Sequence, residues 1–409
     1  MTARDDRSQG GWDDGGAAAP ADPEHRSYLD HAATTPMDPE VVDAMLPYLG
    51  SQFGNPSGGH RESRRARLAI DDAREQIAGL LGVDLGEVVF TSGGTEADNL
   101  AIEGAWPVTE GVPGWSPSTL VCSAMEHHAV LNTCRALAHR TGAELVEVRT
   151  GKDGIIDLDE LADACTGDVG LVSVMAVNNE IGTVQPISQV ASVVRHRAPL
   201  AHVHTDAVQA VAWLDVAELG APADLVTVSA HKFGGPKGIG ALVVREGVGL
   251  HPIIHGGGQE RGRRSGTQNV AGIVGMAAAL AAASSRRAST VARVAALRDR
   301  LGDGLLATVA GSVETGDRRE KVAGHLHLRF AGAESEALVV LLDEAGVAVS
   351  AGAACSSGAI EVSHVLSSMG LDAKEAASGI RFSLGATTTD ADIDHALAVV
   401  PGAVARLRD

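Results

Sequence analysis

Lys232 stands in the stretch "SAHKFGGPKG", directly after the apolar run "DLVTVS", where a strand is expected to end. Burial at a strand end disfavours the charged form of a lysine and lowers its pKa. A lysine amine of this kind can form a Schiff base with an aldehyde. Taken alone, Lys232 is more often a surface lysine in an ion pair. Covalent chemistry is therefore predicted only if other reactive groups converge on the same place.

Two other stretches supply such groups. In "FTSGGTEADN", a strand ends at Phe90, glycines follow, and a helix is expected to begin near Thr95. The free N–H groups of a helix start, next to glycines that allow close approach, bind anions. In "HVHTDAVQ", Asp206 ends an apolar strand and Gln209 follows three residues later. Each feature alone also fits a glycine-rich turn or a helix-capping aspartate, but the carboxyl ends of parallel strands line binding crevices.

Together these features match the needs of pyridoxal phosphate. This cofactor needs a phosphate site, a carboxylate for its pyridine nitrogen and a lysine for its aldehyde. The stretch "EHHAV" adds His127 or His128, either of which could stack on the pyridine ring. The stretch "MAVNNEIG" brings Asn178, Asn179 and Glu180 to another strand end, although adjacent asparagines are more often turn residues than ligands.

The elements that must position these residues can be read from the hydrophobic pattern. From about residue 60 to 280, short β-branched runs alternate with helical stretches, which predicts a mostly parallel sheet with helices on both faces. The run "ALVVRE" follows "DLVTVSA" too closely for a helical crossover, so this strand pair is predicted to be antiparallel. We expect a large domain at 28–280 and a smaller α+β domain at 281–409. Residues 1–27, rich in Gly, Asp, Ala and Pro, are predicted to form a disordered tail.

Composition excludes several classes of partner. The formal net charge of −19 is spread along the 409 residues, which argues against nucleic acid or an anionic membrane as the main partner. Neither a transmembrane run nor a secretory signal is found, so we expect a cytoplasmic protein.

The four cysteines fall into two groups. Cys122 and Cys134 lie in apolar element patterns, where we expect buried thiols, and Cys165 is expected to end a helix without a special role. No CxxC pair occurs, so no structural metal site is predicted. Cys355 lies in "SAGAACSSGAIE", a run of small residues without core periodicity. A loop thiol without a partner cysteine is a candidate nucleophile.

The chain resembles the cysteine desulfurases of the class V pyridoxal-phosphate-dependent aminotransferase superfamily. The resemblance implies the fold-type I architecture, an α/β fold with a mostly parallel seven-stranded sheet and a smaller α+β domain. It spans residues 28–390, and the matching stretches are "YLDHAATTPMDP", "GNPSGGHRESRRAR", "TSGGTEADNLAIEG", "EHHAVLNTCR", "NNEIGTVQPI", "HTDAVQA", "SAHKFGGPKGIGAL", "HGGGQERGRRSGT", "AGAACSSGAIEVSHVL" and "IRFSLG".

The resemblance implies a role for each matching residue around the cofactor. Lys232 would bind the cofactor aldehyde and act as the catalytic base, and Asp206 would pair with the pyridine nitrogen. Gln209 would hydrogen-bond the phenolate oxygen, and His127 would stack on the ring. Asn179 would contact cofactor or substrate. The phosphate would be held by Gly94, Thr95, Ser229 and His231, and by Thr267 from the other subunit of a homodimer.

The resemblance also implies how the substrate is held and attacked. Arg381 would bind the carboxylate of L-cysteine in bidentate fashion. Cys355 would take the substrate sulfur as a persulfide, and its loop resembles that of the long-loop branch, in which the cysteine can swing to an acceptor protein. No resident metal is implied, and whether Cys355 ever ligates an iron–sulfur cluster stays open.

The implied reaction converts L-cysteine to L-alanine and passes sulfur to an iron–sulfur scaffold, a tRNA-thiolation enzyme or a DNA-sulfur-modification partner. One alternative is a related class V lyase or aminotransferase, such as a selenocysteine lyase, which Cys355 disfavours. Another is a non-catalytic sulfur-transfer subunit, which Lys232, Asp206 and Arg381 disfavour. The chain has Val362 where the family usually has proline, and it ends at "VARLRD" without the C-terminal tail of housekeeping members, so the acceptor stays open.

Overall fold

The computed structural model describes residues 26–106, 115–351 and 362–409. Most of the predicted tail at 1–27, and Cys355, lie outside the described residues. The strands are β1 (Ser27–Tyr28), β2 (Val88–Thr91), β3 (Thr119–Ser123), β4 (Glu144–Val148), β5 (Val169–Ser173), β6 (His202–Asp206), β7 (Leu225–Ser229), β8 (Gly240–Val244), β9 (Ser312–Glu314), β10 (His325–Phe330), β11 (Val347–Ala348) and β12 (Gly379–Ser383). The helices are α1 (Pro39–Leu49), α2 (Arg61–Leu81), α3 (Gly94–Ala105), α4 (His128–Thr141), α5 (Leu158–Ala164), α6 (Ile187–Arg197), α7 (Val216–Gly220), α8 (Val270–Thr308), α9 (Ser335–Glu344), α10 (His364–Ser368), α11 (Ala373–Ala376) and α12 (Asp390–Arg408).

The central sheet has seven strands in the order β2-β8-β7-β6-β5-β3-β4. Strands β3 to β7 pair in parallel, whereas β8 is antiparallel to both β7 and β2. The mostly parallel sheet and the antiparallel β7–β8 pair are therefore confirmed. The connection from β7 to β8 is a short turn, and a parallel crossover needs a dozen or more residues.

Helices cover both faces of this sheet. Strands β2, β3, β5, β7 and β8 are buried along their whole length, which explains their continuous apolar runs. Helices α3 and α4 pack together on one face, where Leu100, Trp106 and Leu131 share a core cluster. A larger cluster includes Ile77 of α2 and Val190 of α6 and continues through α8 into the C-terminal half.

The C-terminal half contains a three-stranded antiparallel sheet in the order β12-β10-β9. The first strand, β1, pairs in parallel with β11 and begins at Ser27, the last residue of the predicted tail. Helix α8 runs for 39 residues, and the predicted domain boundary at residue 280 falls inside it. The division into 28–280 and 281–409 therefore stays a prediction.

Two further properties concern the described residues alone. Cys122 and Cys134 are buried free thiols, as predicted; Cys165 follows the last residue of α5, as expected of a helix end, and is a buried free thiol too. Within the same residues, no helix is long and apolar enough to cross a membrane, and no cluster of His, Cys, Asp and Glu could hold a metal ion.

A buried ion pair fixes the segment that precedes α8. Glu260 accepts hydrogen bonds from Nη2 of Arg74 through both carboxylate oxygens, at 2.8 and 2.9 Å. The same carboxylate accepts from the backbone N–H of Phe90 at 3.2 Å and from Nε2 of Gln268 at 2.5 Å. Glu260 holds a positive φ of 49°, which is uncommon for a residue other than glycine. The pair therefore ties the loop that carries Thr267 to α2 and β2.

Removing the Glu260 carboxylate should be costly. Glu260→Ala leaves the Arg74 guanidinium largely buried without its partner, so we expect about 3–5 kcal/mol less free energy of unfolding. The matched control is Glu160→Ala, which breaks the exposed pair with Arg149 and should cost less than about 1 kcal/mol. Urea unfolding of both variants checks the prediction, and equal costs would contradict it.

Candidate active site

A cavity of about 320 Å³ opens where the parallel strands end. Strands β6 and β7 end at this edge of the sheet, and the loops after β3 and β5 reach it, as expected for a doubly wound sheet. Ten predicted site residues line the cavity: Gly94, Thr95, His127, Asn179, Asp206, Gln209, Ser229, His231, Lys232 and Arg381. Thr267 is exposed and does not line it, and Cys355 lies outside the described residues.

Lys232 ends the short turn that follows β7. Its Nζ donates to the backbone carbonyls of Ala32 at 2.6 Å and Ala33 at 2.9 Å. Both acceptors are neutral. Desolvation lowers the pKa of Lys232 to about 8, and the nearby Arg381 cation acts in the same direction. The amine is therefore poised to lose its proton near neutral pH, which is the property that Schiff-base chemistry requires.

Asp206 is the last residue of β6 and is buried. Its Oδ1 accepts the backbone N–H of Val208 at 2.8 Å. Burial raises the pKa of Asp206 to about 6, although that hydrogen bond and the charge of Lys232 oppose the rise. A cation beside this carboxylate would favour its ionised form.

His127 caps the N-terminus of α4 and projects into the open cavity. Its Nδ1 accepts the backbone N–H of Ala129 at 3.1 Å, so the neutral ring carries its proton on Nε2. Desolvation by the cavity walls lowers the pKa of His127 to about 4, with further lowering from Lys232 and His128. The ring is therefore neutral at physiological pH and suited to stacking on an aromatic ligand.

The cavity has the features of a phosphate cradle at the start of α3. The helix begins at Gly94, and the first N–H groups of a helix have no intrahelical acceptors. The Oγ of Ser229 is buried and has no hydrogen-bond partner among the described residues. Gly93 has a φ of 152°, and a Cβ on Gly240 would lie only 2.8 Å from the carbonyl carbon of Gly93. Small residues, free amides and an unpaired hydroxyl fit a phosphate group.

Two more predicted residues have partners at this cavity. Nδ1 of His231 lies 3.2 Å from Oγ1 of Thr34, and desolvation lowers the pKa of His231 to about 4. Gln209 donates through Nε2 to the carbonyl of Ala32 at 2.8 Å, the same carbonyl that accepts from Lys232. The segment around Ala32 therefore orients both the amine and the amide.

Arg381 reaches the cavity from β12 and is buried. Its Nη2 donates to Oδ1 of Asp30 at 2.6 Å, and its Nη1 donates to the backbone carbonyl of Asn179 at 2.9 Å. The remaining Nε has no partner among the described residues. The guanidinium lines the cavity, where a bidentate anion would compete with Asp30.

The adjacent asparagines have different roles. Asn178 is fully buried, and its Oδ1 accepts the N–H groups of Glu180 at 2.9 Å and Ile181 at 3.0 Å. It is therefore the turn residue of the pair, and this turn presents Asn179 to the cavity.

Several groups at the cavity were not anticipated from the sequence. The carbonyls of Ala32 and Ala33 carry no side-chain signature, so no sequence signal could have revealed them. Asp30 and Asp98 could have been suspected, because both are carboxylates inside stretches that match the family. Their partners lie hundreds of residues away or on other strands, which the sequence does not show.

Comparisons with known proteins identify the family. The family model described as aminotransferase class-V matches residues 27–396. An IscS-like cysteine desulfurase of Mycobacterium tuberculosis is 44% identical over 387 residues, which cover 93% of this chain and 97% of that protein. A solved NifS-like protein has a TM-score of 0.85 and 34% identity, covering 93% of this chain and all of its own. SspA, solved in complex with cysteine, has a TM-score of 0.76 and 32% identity over 89% of this chain and all of its own.

Sequence, fold and cavity thus lead to one assignment. The chain belongs to the class-V aminotransferase family and, within it, to the pyridoxal-phosphate-dependent cysteine desulfurases.

Proposed function

We propose that this protein converts L-cysteine to L-alanine, with Lys232 bound to pyridoxal phosphate and Cys355 taking the sulfur as a persulfide. The observation that carries the proposal is the meeting of a low-pKa lysine, a buried acid and a buried arginine in one cavity, namely Lys232, Asp206 and Arg381. The membership of the desulfurase family and a structural neighbour that binds cysteine support the substrate.

The cofactor would be held by groups with distinct duties. Asp206 would pair with the protonated pyridine nitrogen, Gln209 would hydrogen-bond the phenolate oxygen, and His127 would stack on the ring. The phosphate would be held by the cradle residues Gly94, Thr95, Ser229 and His231. Bound there, pyridoxal phosphate supplies an electron sink for the negative charge that develops at the substrate Cα.

Lys232 would serve as the general base once substrate has taken its place on the cofactor. An amine with a pKa of about 8 is partly unprotonated near neutral pH, so it can accept the Cα proton and later return it. The carbonyls of Ala32 and Ala33 would hold the ammonium group that forms, because each accepts one of its N–H bonds.

Arg381 and Asn179 would position the substrate. A carboxylate on the guanidinium of Arg381 would replace Asp30 as its charged partner and could also engage the free Nε. Bidentate binding would fix the orientation of the amino acid, which places the reacting bonds at the cofactor.

Sulfur transfer would require the thiolate of Cys355. The thiolate attacks the substrate sulfur, an S–S bond forms as the C–S bond breaks, and the electron pair of the C–S bond stays on carbon, which a proton then converts to the methyl group of alanine. The residues that follow in the chain are anchored at the cavity: Ser363 donates to Oε2 of Glu180 at 2.6 Å, and Nε2 of His364 donates to the carbonyl of Glu126 at 2.8 Å. These contacts support delivery of a thiol to this site.

A homodimer would complete the phosphate site. Leu46, Leu49 and Phe53, in α1 and directly after it, expose 54%, 67% and 79% of their surface, and a cluster of exposed large apolar side chains marks an interface. Thr267 is exposed, and Arg264 nearby pairs with Glu96 in the first turn of α3. We propose that Thr267 binds the phosphate in the partner subunit's cavity.

The persulfide would be passed to a protein acceptor in the cytoplasm. An iron–sulfur scaffold is the proposed acceptor, because the curated relatives include proteins named IscS. Transfer of radioactive sulfur from L-cysteine to a purified scaffold, compared with transfer to a tRNA-thiolation enzyme, tests this choice.

The low pKa of Lys232 predicts the pH dependence of cofactor attachment. The rate at which apoenzyme binds pyridoxal phosphate covalently should rise with pH and level off above about 8, because only the unprotonated amine attacks the aldehyde. Arg381→Gln should raise the midpoint, since the Arg381 cation disfavours a second positive charge. Absorbance of the bound cofactor gives the rate. A midpoint near that of an ordinary lysine would refute the assignment, and Lys232→Ala should form no covalent adduct.

Cys355→Ser separates a desulfurase from an aminotransferase. The variant should bind the cofactor normally but lose persulfide and alanine formation from L-cysteine by at least about 100-fold, because its hydroxyl is a far weaker nucleophile. Cys165→Ala, which removes a buried thiol that does not line the cavity, should retain activity. Persulfide labelling and alanine analysis measure both variants. Undiminished alanine formation by Cys355→Ser would exclude the thiol mechanism.

Charge in the proposed interface should dissociate the dimer. Phe53→Asp combined with Leu49→Asp places two carboxylates against an apolar surface, so we expect a monomer that binds cofactor roughly tenfold more weakly, since it lacks the partner's Thr267. Val340→Asp, on another exposed apolar side chain, is the control. Sedimentation and cofactor titration test this, and a dimer in the double variant would place the interface elsewhere.

A further inference from the structure

A second buried acid, Asp98 in α3, lines the cavity together with Asp206 and has no part in the proposed reaction. Its surface is 2% exposed. Its Oδ1 has no hydrogen-bond partner among the described residues. Burying an ionised carboxylate without full hydrogen bonding is costly, so the charge state of Asp98 needs a physical account.

Asp98 is at one end of a hydrogen-bonded chain across three strands. Its side chain hydrogen-bonds Thr227 on β7. Oγ1 of Thr227 lies 3.1 Å from Nε2 of His204 on β6, and Nδ1 of His204 lies 2.8 Å from Oγ of Ser173 on β5. Thr227, His204 and Ser173 are fully buried. These side chains are shielded from bulk water and hydrogen-bond one another instead.

These hydrogen bonds can run in two directions, which differ in whether Asp98 donates to Thr227 or accepts from it. In one direction Asp98 donates to Thr227, Thr227 donates to Nε2 of His204, and Nδ1–H of His204 donates to Ser173. In the other, Ser173 donates to Nδ1, Nε2–H donates to Thr227, and Thr227 donates to an ionised Asp98. Only the first direction requires a proton on Asp98, because only there is its carboxyl the donor.

The surrounding charges favour the first direction. Desolvation lowers the pKa of His204 to about 3, so the imidazole offers no positive charge even though its Nε2 is 3.7 Å from Oδ1 of Asp98. Burial raises the pKa of Asp98 well above its usual range, and the charges of the Asp206 and Glu126 carboxyls act in the same direction, although the hydrogen bond with Thr227 opposes the rise. The positive charge of Lys232 lowers the pKa of Asp206 instead. In a pair of coupled acids, the one without a cation keeps the proton.

We propose that Asp98 is a protonated positioning residue that donates along Thr227, His204 and Ser173 and so confines the single negative charge of the Asp98–Asp206 pair to Asp206. The consequence for the cofactor rests on the proposed function: one carboxylate, in a fixed place, faces the pyridine nitrogen. A second buried charge beside it would raise the proton affinity of Asp206 itself and weaken it as a defined counter-ion.

Infrared spectroscopy of the apoprotein tests the charge state without cofactor. At neutral and mildly alkaline pH, we expect the carbonyl absorption of a protonated carboxylic acid that Asp98→Asn removes and Asp206→Asn does not. Glu126→Gln identifies any band of that third buried acid, whose pKa is also raised. A spectrum in which Asp98→Asn removes no such band shows that Asp98 is ionised and overturns the proposal.

The tautomer of His204 provides a second, independent test. Nitrogen-15 NMR of histidine-labelled apoprotein, with the His204 signals identified by their loss in His204→Gln, should show the proton on Nδ1. A proton on Nε2, or on both nitrogens, would mean that the chain runs the other way or that an Asp98–His204 ion pair exists. Either result overturns the proposal.

Holoenzyme variants test the effect on the cofactor. Asp98→Ala should admit water beside Asp206 and weaken binding of pyridoxal phosphate roughly tenfold, with a shifted pH titration of the bound-cofactor absorbance. Asp98→Asn, which mimics the protonated acid, should restore the wild-type titration midpoint. A midpoint in Asp98→Asn displaced as far as in Asp98→Ala would show that charge, not hydrogen bonding, matters. If wild-type protein bound no cofactor at all, the proposed function would fail while the apoprotein results would stand.

Discussion

The amine of Lys232 is held by two backbone carbonyls in a desolvated cavity, and the rest of the site depends on this arrangement. A carboxylate in their place would stabilise the ammonium form and raise the pKa. Neutral carbonyl acceptors orient the amine without adding a negative charge that would raise its pKa and keep it protonated. The carbonyls belong to a segment secured between the two halves of the chain: Leu29 donates to Ala348, and Ser383 donates to Leu29. The geometry of the lysine thus requires the C-terminal half as well as the sheet.

Burial and the nearest charged partner decide the charge of each ionisable side chain at the cavity. Asp30 forms an ion pair with Arg381, and the charge of Lys232 lowers the pKa of Asp206. Among the described residues, Asp98 has only two acids, Asp206 and Glu126, and the neutral imidazole of His204 as titratable neighbours. Asp98 and Asp206 therefore differ in the charges that act on them although both line one cavity. Because Arg381 pairs with Asp30, the cavity can hold this cation, the Asp206 carboxylate and the weakly basic amine of Lys232 without a direct Arg381–Asp206 ion pair.

Much of this site could be predicted because its side chains stand at the ends of apolar strands, where Asp206, Ser229 and Lys232 are recognisable one by one. Parallel topology then brings such positions together. The backbone acceptors around Ala32 could not be predicted, since any residue supplies a carbonyl. The pairing of Arg381 with Asp30 also escaped prediction, because it joins the two ends of the chain. The antiparallel β8 was predictable from the short turn before it, whereas the unbroken α8 crosses a boundary inferred from a change of pattern.

The length of α8 has a consequence for how such chains can diverge. Its buried residues fall in two stretches, Ala271–Ala282 and Val294–Leu305, which pack against different parts of the molecule. Each residue of an α-helix turns the chain by about 100° and advances it by about 1.5 Å. Insertion of a single residue between the two stretches would rotate one apolar face away from its neighbours. Length variation there is therefore restricted to steps that restore helical phase, a restriction that surface loops do not share.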